Sequence, residues 1–353
     1  IAISSPADYQ ETLRNAYVIV DFAERRELIR DGVTKAAAKA GGLAVINDDL
    51  LNEVTALNEW PVPLLGQIED RFLAVRSEAL ISSMAEHQKY FHVVDKNDQL
   101  LPMFITVANI ESTDPAQVIN GNERVIRPRL SDAAFFYETD LKTSLEARRE
   151  SLKNIVFQAK LGSIFDKTER VAKLAAALSS ATGADPVLAS RAAELSKSDL
   201  VSEMVGEFDD LQGIMGRYYA INDGENTAVA EALFEQYLPR YAGDDIPATA
   251  TGATLALADR LDTLVGIFGI GQAPTGSKDP FALRRASLGA LRIIVERKID
   301  LDLHEALSLA ISQHSIVSSN SEAASKVSKQ VLTYMIERFK SWYVDKNIPT
   351  EVF

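Results

Sequence analysis

The sequence predicts an α+β domain over residues 1–140 followed by an all-α domain over residues 141–353, so that the chain is mainly helical overall. Its 353 residues exceed what one hydrophobic core usually organises, which favours two domains. Strand-like segments are confined to roughly the first 130 residues. Beyond about residue 140, apolar residues recur every three or four positions, which is the spacing of helices.

In the first domain, helical patterns precede extended ones. Apolar positions at helical spacing predict helices within residues 1–40, 50–57 and 73–84. The glycine pair Gly41-Gly42 ends the first of these. Residues 90–94 and 100–108 then predict the two strands of a hairpin, because the polar residues 95–98 form a turn between them.

In the second domain, nearly every segment has helical spacing. Linkers rich in Gly and Pro, such as residues 243–247 and 269–274, separate the segments. Asp279 and Pro280 are typical of a helix start and predict that one helix begins there. The predicted helices cover residues 145–158, 167–179, 186–196, 200–208, 229–236, 251–268, 280–297 and 325–343.

The composition limits the classes of function. A formal net charge of -13 argues against a protein whose whole surface binds nucleic acid, although a local basic surface stays open. With no cysteine and four histidines, the chain has no thiolate ligands and few candidates for general-base or metal chemistry. The lack of cysteine suits a reducing compartment, so we expect a cytoplasmic protein. No run of 18 apolar residues predicts a membrane-spanning helix.

A first basic segment covers residues 121–129. Arg124, Arg127 and Arg129 lie within six positions, beside a glycine and a proline. Guanidinium groups suit phosphate oxygens, and a short rigid segment holds them at low entropic cost. We predict a basic loop whose three arginines contact RNA, with ion pairs inside the protein as the alternative.

A second basic segment runs from Lys278 into the helix predicted over residues 280–297. Arg285, Gly289 and Arg292 share one face of that helix. Because Gly289 leaves the face without a side chain between two arginines, an RNA backbone could approach it. The alternative is that Gly289 allows close helix packing while the arginines pair with acids such as Asp279 and Glu296. The predicted RNA contacts are Lys278, Arg284, Arg285 and Arg292.

The same segment comes close to a phosphate-binding loop. Such a loop needs Gly-Lys-Ser/Thr, so that the lysine reaches the terminal phosphates and the hydroxyl meets magnesium. Here Gly276 is followed by Ser277 and only then by Lys278. We therefore interpret the segment as a glycine turn and predict no bound nucleotide cofactor.

Three segments of the second domain resemble the metal-binding segments of the all-helical phosphohydrolases named for their His-Asp pair. That family binds metal with an early His, the adjacent His-Asp and a late Asp. Lys167 stands at the early His, Ser196-Lys197 stands at the pair, and only Asp259 matches. A tight divalent site needs several ligands, so the resemblance implies the scaffold without metal ligands or catalytic residues. A metal-dependent phosphohydrolase stays as an alternative function.

Longer strings resemble the β subunit of the bacterial two-subunit glycyl-tRNA synthetase. They occur in order over nearly the whole chain, and strings of this length are highly specific. They are residues 88–91, 104–112, 121–133, 166–170, 195–200, 212–216, 238–244, 266–271 and 275–285.

The resemblance implies an enzyme that forms glycyl-tRNA, AMP and pyrophosphate from ATP, glycine and tRNA-Gly. In that family the α subunit is catalytic and uses ATP with Mg²⁺. The β subunit binds tRNA within an α2β2 tetramer. The first domain is then of the B3/B4 type of phenylalanyl-tRNA synthetase β chains, and the second is a degenerate His-Asp (HD-like) domain.

Family β chains are longer at both ends and finish in an anticodon-binding domain. The resemblance therefore implies that this chain is a central piece, without catalytic residues or cofactor and inactive alone. A non-catalytic interaction scaffold is the remaining alternative.

Overall fold

The computed structural model describes residues 1–275, 278–345 and 348. The chain divides into two compact units, Ile1–Thr139 and a second unit that begins at Asp140. It is mainly helical, with 64% of its residues in helix, and a small antiparallel sheet lies in the first unit. The prediction of a mainly helical chain with a mixed N-terminal part is confirmed at this level.

The first unit packs helices against a four-stranded sheet. Its helices are α1 (Tyr9–Arg14), α2 (Phe22–Lys39), α3 (Asp48–Leu57), α4 (Ser77–Ser82) and α5 (Pro115–Asp140), and its strands are β1 (Leu43–Ala44), β2 (Val62–Gln67), β3 (Phe91–Val94) and β4 (Leu100–Ala108). The strand order is β1-β3-β4-β2, and each neighbouring pair is antiparallel. The predicted hairpin is confirmed as β3 and β4, in which Phe91 lies opposite Ile105.

The core of the first unit joins α2 and α3 to the sheet. Ile29 and Val33 of α2 are fully buried in one cluster with Leu51 of α3 and with Phe91 and Ile105 of the sheet. Burying each such side chain contributes about 1.5–3 kcal/mol, so this cluster contributes to the stability of the unit.

The predicted basic loop at residues 121–129 is wrong, because these residues lie inside α5. Ile126, Leu130 and Ala133 are buried at helical spacing, and their burial overrides the turn signals of the neighbouring glycine and proline. Pro128 sits in the helix interior, where it lacks the N–H that would bond the carbonyl of Arg124.

In its described residues, the second unit consists of helices and one short ribbon. Its helices are α6 (Leu145–Arg149), α7 (Ile164–Thr182), α8 (Pro186–Leu195), α9 (Glu203–Glu207), α10 (Ile214–Asn222), α11 (Thr227–Glu235), α12 (Ala250–Gly269), α13 (Leu283–Glu296), α14 (Leu303–Ser312), α15 (Ser315–Ser318) and α16 (Ser321–Asp345). Strands β5 (Val156–Gln158) and β6 (Gly162–Ser163) pair antiparallel.

Helix α12 is the centre of the second unit. It is buried along nearly its whole length, and α7, α8, α11, α13, α14 and α16 all contact it. A helix that is apolar on every side is stable only when other elements surround it. Its predicted range, residues 251–268, is confirmed to within one residue at each end.

The ribbon β5–β6 corrects the expectation of an all-α second domain. The helix predicted over residues 145–158 ends at Arg149 and is followed by a 3₁₀ turn and then β5. Gly162 has a left-handed φ of 87°, which side-chain-bearing residues rarely adopt, and it turns the chain into β6.

None of the helices in the described part is both long and apolar enough to cross a membrane.

Candidate functional site

The second unit concentrates charge around the middle of α12. Asp259, Arg260 and Asp262 lie within four positions of an otherwise apolar, buried helix. Lys167 reaches them from α7, whose start is fixed by a capping box between Ser163 and Asp166. Buried charges need partners, so the arrangement of these groups decides what the site can do.

The lysine cluster comprises Lys167, Lys197, Asp259 and Asp262. The Lys167 ammonium lies 3.2 Å from Oδ1 of Asp259 and 3.1 Å from Oδ2 of Asp262. The Lys197 ammonium lies 3.7 Å from the other oxygen of Asp259, Oδ2. Each carboxylate oxygen of Asp259 therefore faces a lysine.

The charges of the cluster stabilise the ionised carboxylates. Burial alone would raise the pKa of Asp259, but Lys167 and Lys197 outweigh it and hold the pKa below its ordinary value. Burial opposes ionisation of Asp262 too, yet Lys167, His314 and Arg170 hold its pKa far below the usual range. Burial lowers the pKa of the Lys197 ammonium.

This geometry leaves neither carboxylate oxygen of Asp259 open to a metal ion. A cation that coordinated Asp259 would have to displace an ammonium group from each oxygen and would meet the positive charge of both. Among the described residues, no group of three or more His, Cys, Asp or Glu side chains is placed to hold a metal ion. Ser196 does not join the cluster, because its hydroxyl donates to the carbonyl of Ala193 at 2.6 Å.

A second set of contacts surrounds Asp262. Arg170 Nε donates to its Oδ1 at 2.8 Å, and His314 Nε2 lies 2.9 Å from the same oxygen. Sequence reasoning misses the roles of Arg170, Asp262 and His314. The one available signal is that Asp262 follows Asp259 by three residues, which places the two carboxylates on neighbouring positions of one helix face.

Arg260 links α12 to the chain that follows α11. Its Nη1 atom donates to the carbonyls of Gln236 and Ala256, and its Nη2 atom donates to those of residues 237, 238 and 239, the shortest being 2.7 Å to Leu238. A Cβ added to Gly289 would lie 2.7 Å from Arg260 Nε. The expectation that Gly289 opens a helix face to an RNA backbone is therefore wrong, because Gly289 is buried against Arg260.

A pocket of about 350 Å³ opens beside the lysine cluster. Asp259 and Arg260 lie on its α12 side, Tyr237 lies on the segment after α11, and Arg285 lies on α13. Arg285 and the cluster lysines make the surroundings of Asp259 predominantly positive, which suits an anion better than a cation.

The second basic segment has a different helix start from the one predicted. Helix α13 begins at Leu283, after Ala282 in a left-handed conformation. Asp279 still caps it, because its carboxylate accepts from the backbone N–H of Leu283 at 2.8 Å and of Arg284 at 2.9 Å. Thr275 and Lys278 exchange backbone hydrogen bonds. Gly276 and Ser277, from the segment that comes close to a phosphate-binding loop in sequence, lie outside the described residues.

The predicted RNA contacts of the second basic segment differ in exposure. Lys278 and Arg285 are exposed, and Arg284 is half-buried. Arg292 is only 9% exposed, and it pairs with Glu296 through an Nε–Oε1 contact of 2.8 Å. For Arg292 the structure thus shows the intramolecular pair that the sequence offered as an alternative.

The first basic segment distributes its arginines around α5. Arg124 and Arg127 are exposed, and Arg127 Nε lies 2.8 Å from Oε1 of Glu69. Arg129 is half-buried and five positions from Arg124, so the two do not share a helix face.

A family model described as glycyl-tRNA synthetase beta subunit matches residues 1–353. The chain belongs to the glycyl-tRNA synthetase β-subunit family. It is similar to proteins named glycine–tRNA ligase beta subunit from Marinobacter nauticus (62% identical over 355 residues), Hahella chejuensis (57% over 355) and Stutzerimonas stutzeri (54% over 353). These alignments cover 100% of this chain and 50%, 50% and 51% of the relatives, so the chain spans about half the length of the curated relatives it matches.

In this member of the glycyl-tRNA synthetase β-subunit family, the structure brings Lys167, Lys197 and Asp259 together and divides the predicted RNA-binding arginines between the two units. Arg284, Arg285 and Arg292 gather on α13, whereas Arg124, Arg127 and Arg129 lie on α5 of the first unit.

Proposed function

We propose that the chain is a tRNA-binding part of a glycine–tRNA ligase β subunit. With a catalytic α subunit that uses ATP and Mg²⁺, the whole enzyme joins glycine to tRNA-Gly and releases AMP and pyrophosphate. The observation that carries the proposal is the family match over residues 1–353, together with relatives up to 62% identical across the whole chain.

The charge distribution supports RNA binding at the start of α13. The chain as a whole carries a net charge of -13, yet Lys278, Arg284 and Arg285 lie within eight positions. Arg285 makes no ion pair or hydrogen bond to the described residues, so its guanidinium is available to a phosphate. Arg124 and Arg127, exposed on α5 of the first unit, form a second candidate contact.

The domain types and the assembly belong to the same proposal. We assign residues 1–140 to a B3/B4-like domain and residues 141–353 to a degenerate HD-like domain. Lys167 and Lys197 both contact the carboxylate of Asp259. This supports the second assignment, because the three residues stand at positions that the family of His-Asp phosphohydrolases uses for metal. The partner is the α subunit in an α2β2 tetramer, and the compartment is the cytoplasm.

Phosphohydrolase activity is the weaker alternative. It would need a metal beside Asp259, where two ammonium groups already neutralise the carboxylate. Stoichiometric bound metal together with nucleotide hydrolysis by the purified chain would favour the hydrolase and contradict the proposed function.

Footprinting of tRNA-Gly tests the proposal. The tRNA is probed in a complex rebuilt from an α subunit and this chain, and again with a full-length β chain. We expect the two complexes to protect a shared set of nucleotides, and we expect Arg284→Gln with Arg285→Gln to remove part of that protection. The matched control is Lys326→Gln with Lys329→Gln, which removes the same charge from exposed positions of α16. Absence of any protection by this chain would contradict the proposal.

A further inference from the structure

A second cavity in the second unit combines four arginines with two aromatic rings. It has a volume of about 360 Å³ and lies between α13, the end of α16 and the segment that follows α11. We name it the arginine cleft. The residues that matter for its chemistry are Arg284, Arg285, Arg292, Arg338, Tyr241 and Trp342.

The arginine cleft is strongly positive. None of the described residues that line it is an aspartate or a glutamate. Two acids of the adjoining segments are already engaged, since Glu296 holds Arg292 and the carboxylate of Asp244 holds Arg240. With Arg292 already paired to Glu296, the positive charge that Arg285 and Arg338 add to the cleft is not offset by an acid among its described lining residues, which suits an anionic ligand.

Arg292 supplies a buried donor that is fixed and unused. Glu296 and the carbonyl of Asp244 hold its Nε and Nη2 atoms, with contacts of 2.8 Å each. Its Nη1 atom is buried and makes no hydrogen bond to the described residues. The Nε atom of Arg338 is in the same condition. Buried donors without partners are rare and costly, and two of them on one cleft indicate a ligand that accepts hydrogen bonds.

The aromatic rings supply the other half of the chemistry. Trp342 lies in an aromatic group at the end of α16, where its ring centroid is 5.3 Å from that of Tyr343. Tyr241 is 64% exposed at the other side of the cleft. Flat aromatic surfaces beside arginines are the usual means of binding an unstacked base next to its phosphate.

We propose that the arginine cleft binds a single unstacked nucleotide, with its phosphate on Arg292 Nη1 and Arg285 and its base against Trp342. The inference rests on the proposed contact of the same arginines with RNA and names the unit of RNA that is held. The same chemistry fits a nucleotide within a single strand or a free mononucleotide. A cleft of about 360 Å³ has room for one nucleotide.

Tryptophan fluorescence of the 353-residue chain tests the inference. Trp60 and Trp342 are its two tryptophans, so Trp60→Phe leaves Trp342 as the only reporter. The probes are AMP, a single-stranded RNA hexanucleotide and inorganic phosphate. We expect saturable quenching of Trp342 by the hexanucleotide, and inorganic phosphate should compete without quenching. Quenching by AMP as well would identify a free mononucleotide as a second source of the ligand.

The variants separate the cleft from general electrostatics. Arg285→Gln should weaken the affinity for the quenching probe about tenfold, because a hydrogen bond to a charged group is lost. Lys340→Gln removes the same charge from an exposed position of α16 that does not line the cleft, and it should change the affinity less than about twofold. Equal losses in the two variants would overturn the inference.

Binding of tRNA-Gly, measured on the same samples by filter retention, distinguishes this inference from the proposed function. If tRNA binds and neither nucleotide probe changes the emission of Trp342, the cleft is not a nucleotide site and the proposed function stands. If tRNA does not bind while AMP quenches Trp342, the cleft inference stands for a free mononucleotide and the proposed function fails.

Discussion

Replacement of Gly289 by alanine tests the packing of α13 on α12. The new Cβ would lie 2.7 Å from Arg260 Nε, 3.4 Å from its Cζ and 3.5 Å from its Cδ. Arg260 cannot move away freely, because five backbone carbonyls accept hydrogen bonds from its guanidinium. The substitution must therefore separate the two helices or break contacts of Arg260.

The expected loss of stability follows from three contributions. Alanine in place of glycine inside a helix stabilises by about 1 kcal/mol. Overpacking costs about 1–3 kcal/mol, and the loss of one hydrogen bond from a charged donor costs about 1.5 kcal/mol or more. The net expectation is that Gly289→Ala lowers the free energy of unfolding by about 2 kcal/mol.

Urea unfolding measures this change. Trp342 lies on α16, so its fluorescence in a Trp60→Phe background reports the second unit. With a urea dependence of about 2 kcal/mol per M, the midpoint should fall by about 1 M. Gly206→Ala is the matched control, since a Cβ there meets nothing within 4 Å and the residue lies in α9 of the same unit. An unchanged or higher midpoint for Gly289→Ala would refute the packing argument.

Three further predictions concern the buried charges. The pKa of Asp262 is lowered on folding, so the stability that its carboxylate contributes is complete above the unfolded pKa and is lost as the pH falls below about 4. Asp262→Asn should lower the free energy of unfolding by about 3–5 kcal/mol at pH 7. Urea midpoints taken from about pH 3 to 7 should then fall less steeply at acid pH in the variant than in the unaltered chain. Arg260→Leu should cost about 3 kcal/mol or more, because the carbonyls of residues 236–239 lose their buried donor, and unchanged thermal unfolding would contradict this. Neither EDTA nor Mn²⁺ should shift the unfolding temperature by more than about 1 °C, since both oxygens of Asp259 face lysines; a metal-dependent rise would contradict this account of the lysine cluster.

Local sequence patterns predict the elements that a continuous apolar pattern specifies. The apolar repeat predicts α12 almost to the residue, and the polar turn at residues 95–98 predicts the hairpin of β3 and β4. The loop predicted at residues 121–129 is wrong because the burial of Ile126 and Leu130 outweighs the local preference of Pro128 against helix. A local sequence pattern does not show how much that burial contributes.

The candidate site is less accessible to sequence reasoning. Lys167 and Asp259 are 92 positions apart, and their contact depends on how α7 packs against α12. Resemblance to a metal-binding family suggests these positions, whereas spacing alone gives no reason to connect them. The arginine cleft is still harder to predict from the sequence, because Arg292, Arg338 and Tyr241 come from three separate parts of the chain. Its two unpaired donors, Arg292 Nη1 and Arg338 Nε, are recognised only from their burial in the structure.

The salt dependence of tRNA-Gly binding tests the central claim most directly. The affinity of the 353-residue chain is measured from about 50 to 200 mM salt, for the unaltered chain and for Arg284→Gln with Arg285→Gln. Each phosphate contact contributes about 0.7–0.9 to the slope of log affinity against log salt, so the account predicts weaker binding and a slope smaller by about 1.5 in the double variant. Equal affinities and equal slopes would contradict the claim that the start of α13 binds tRNA.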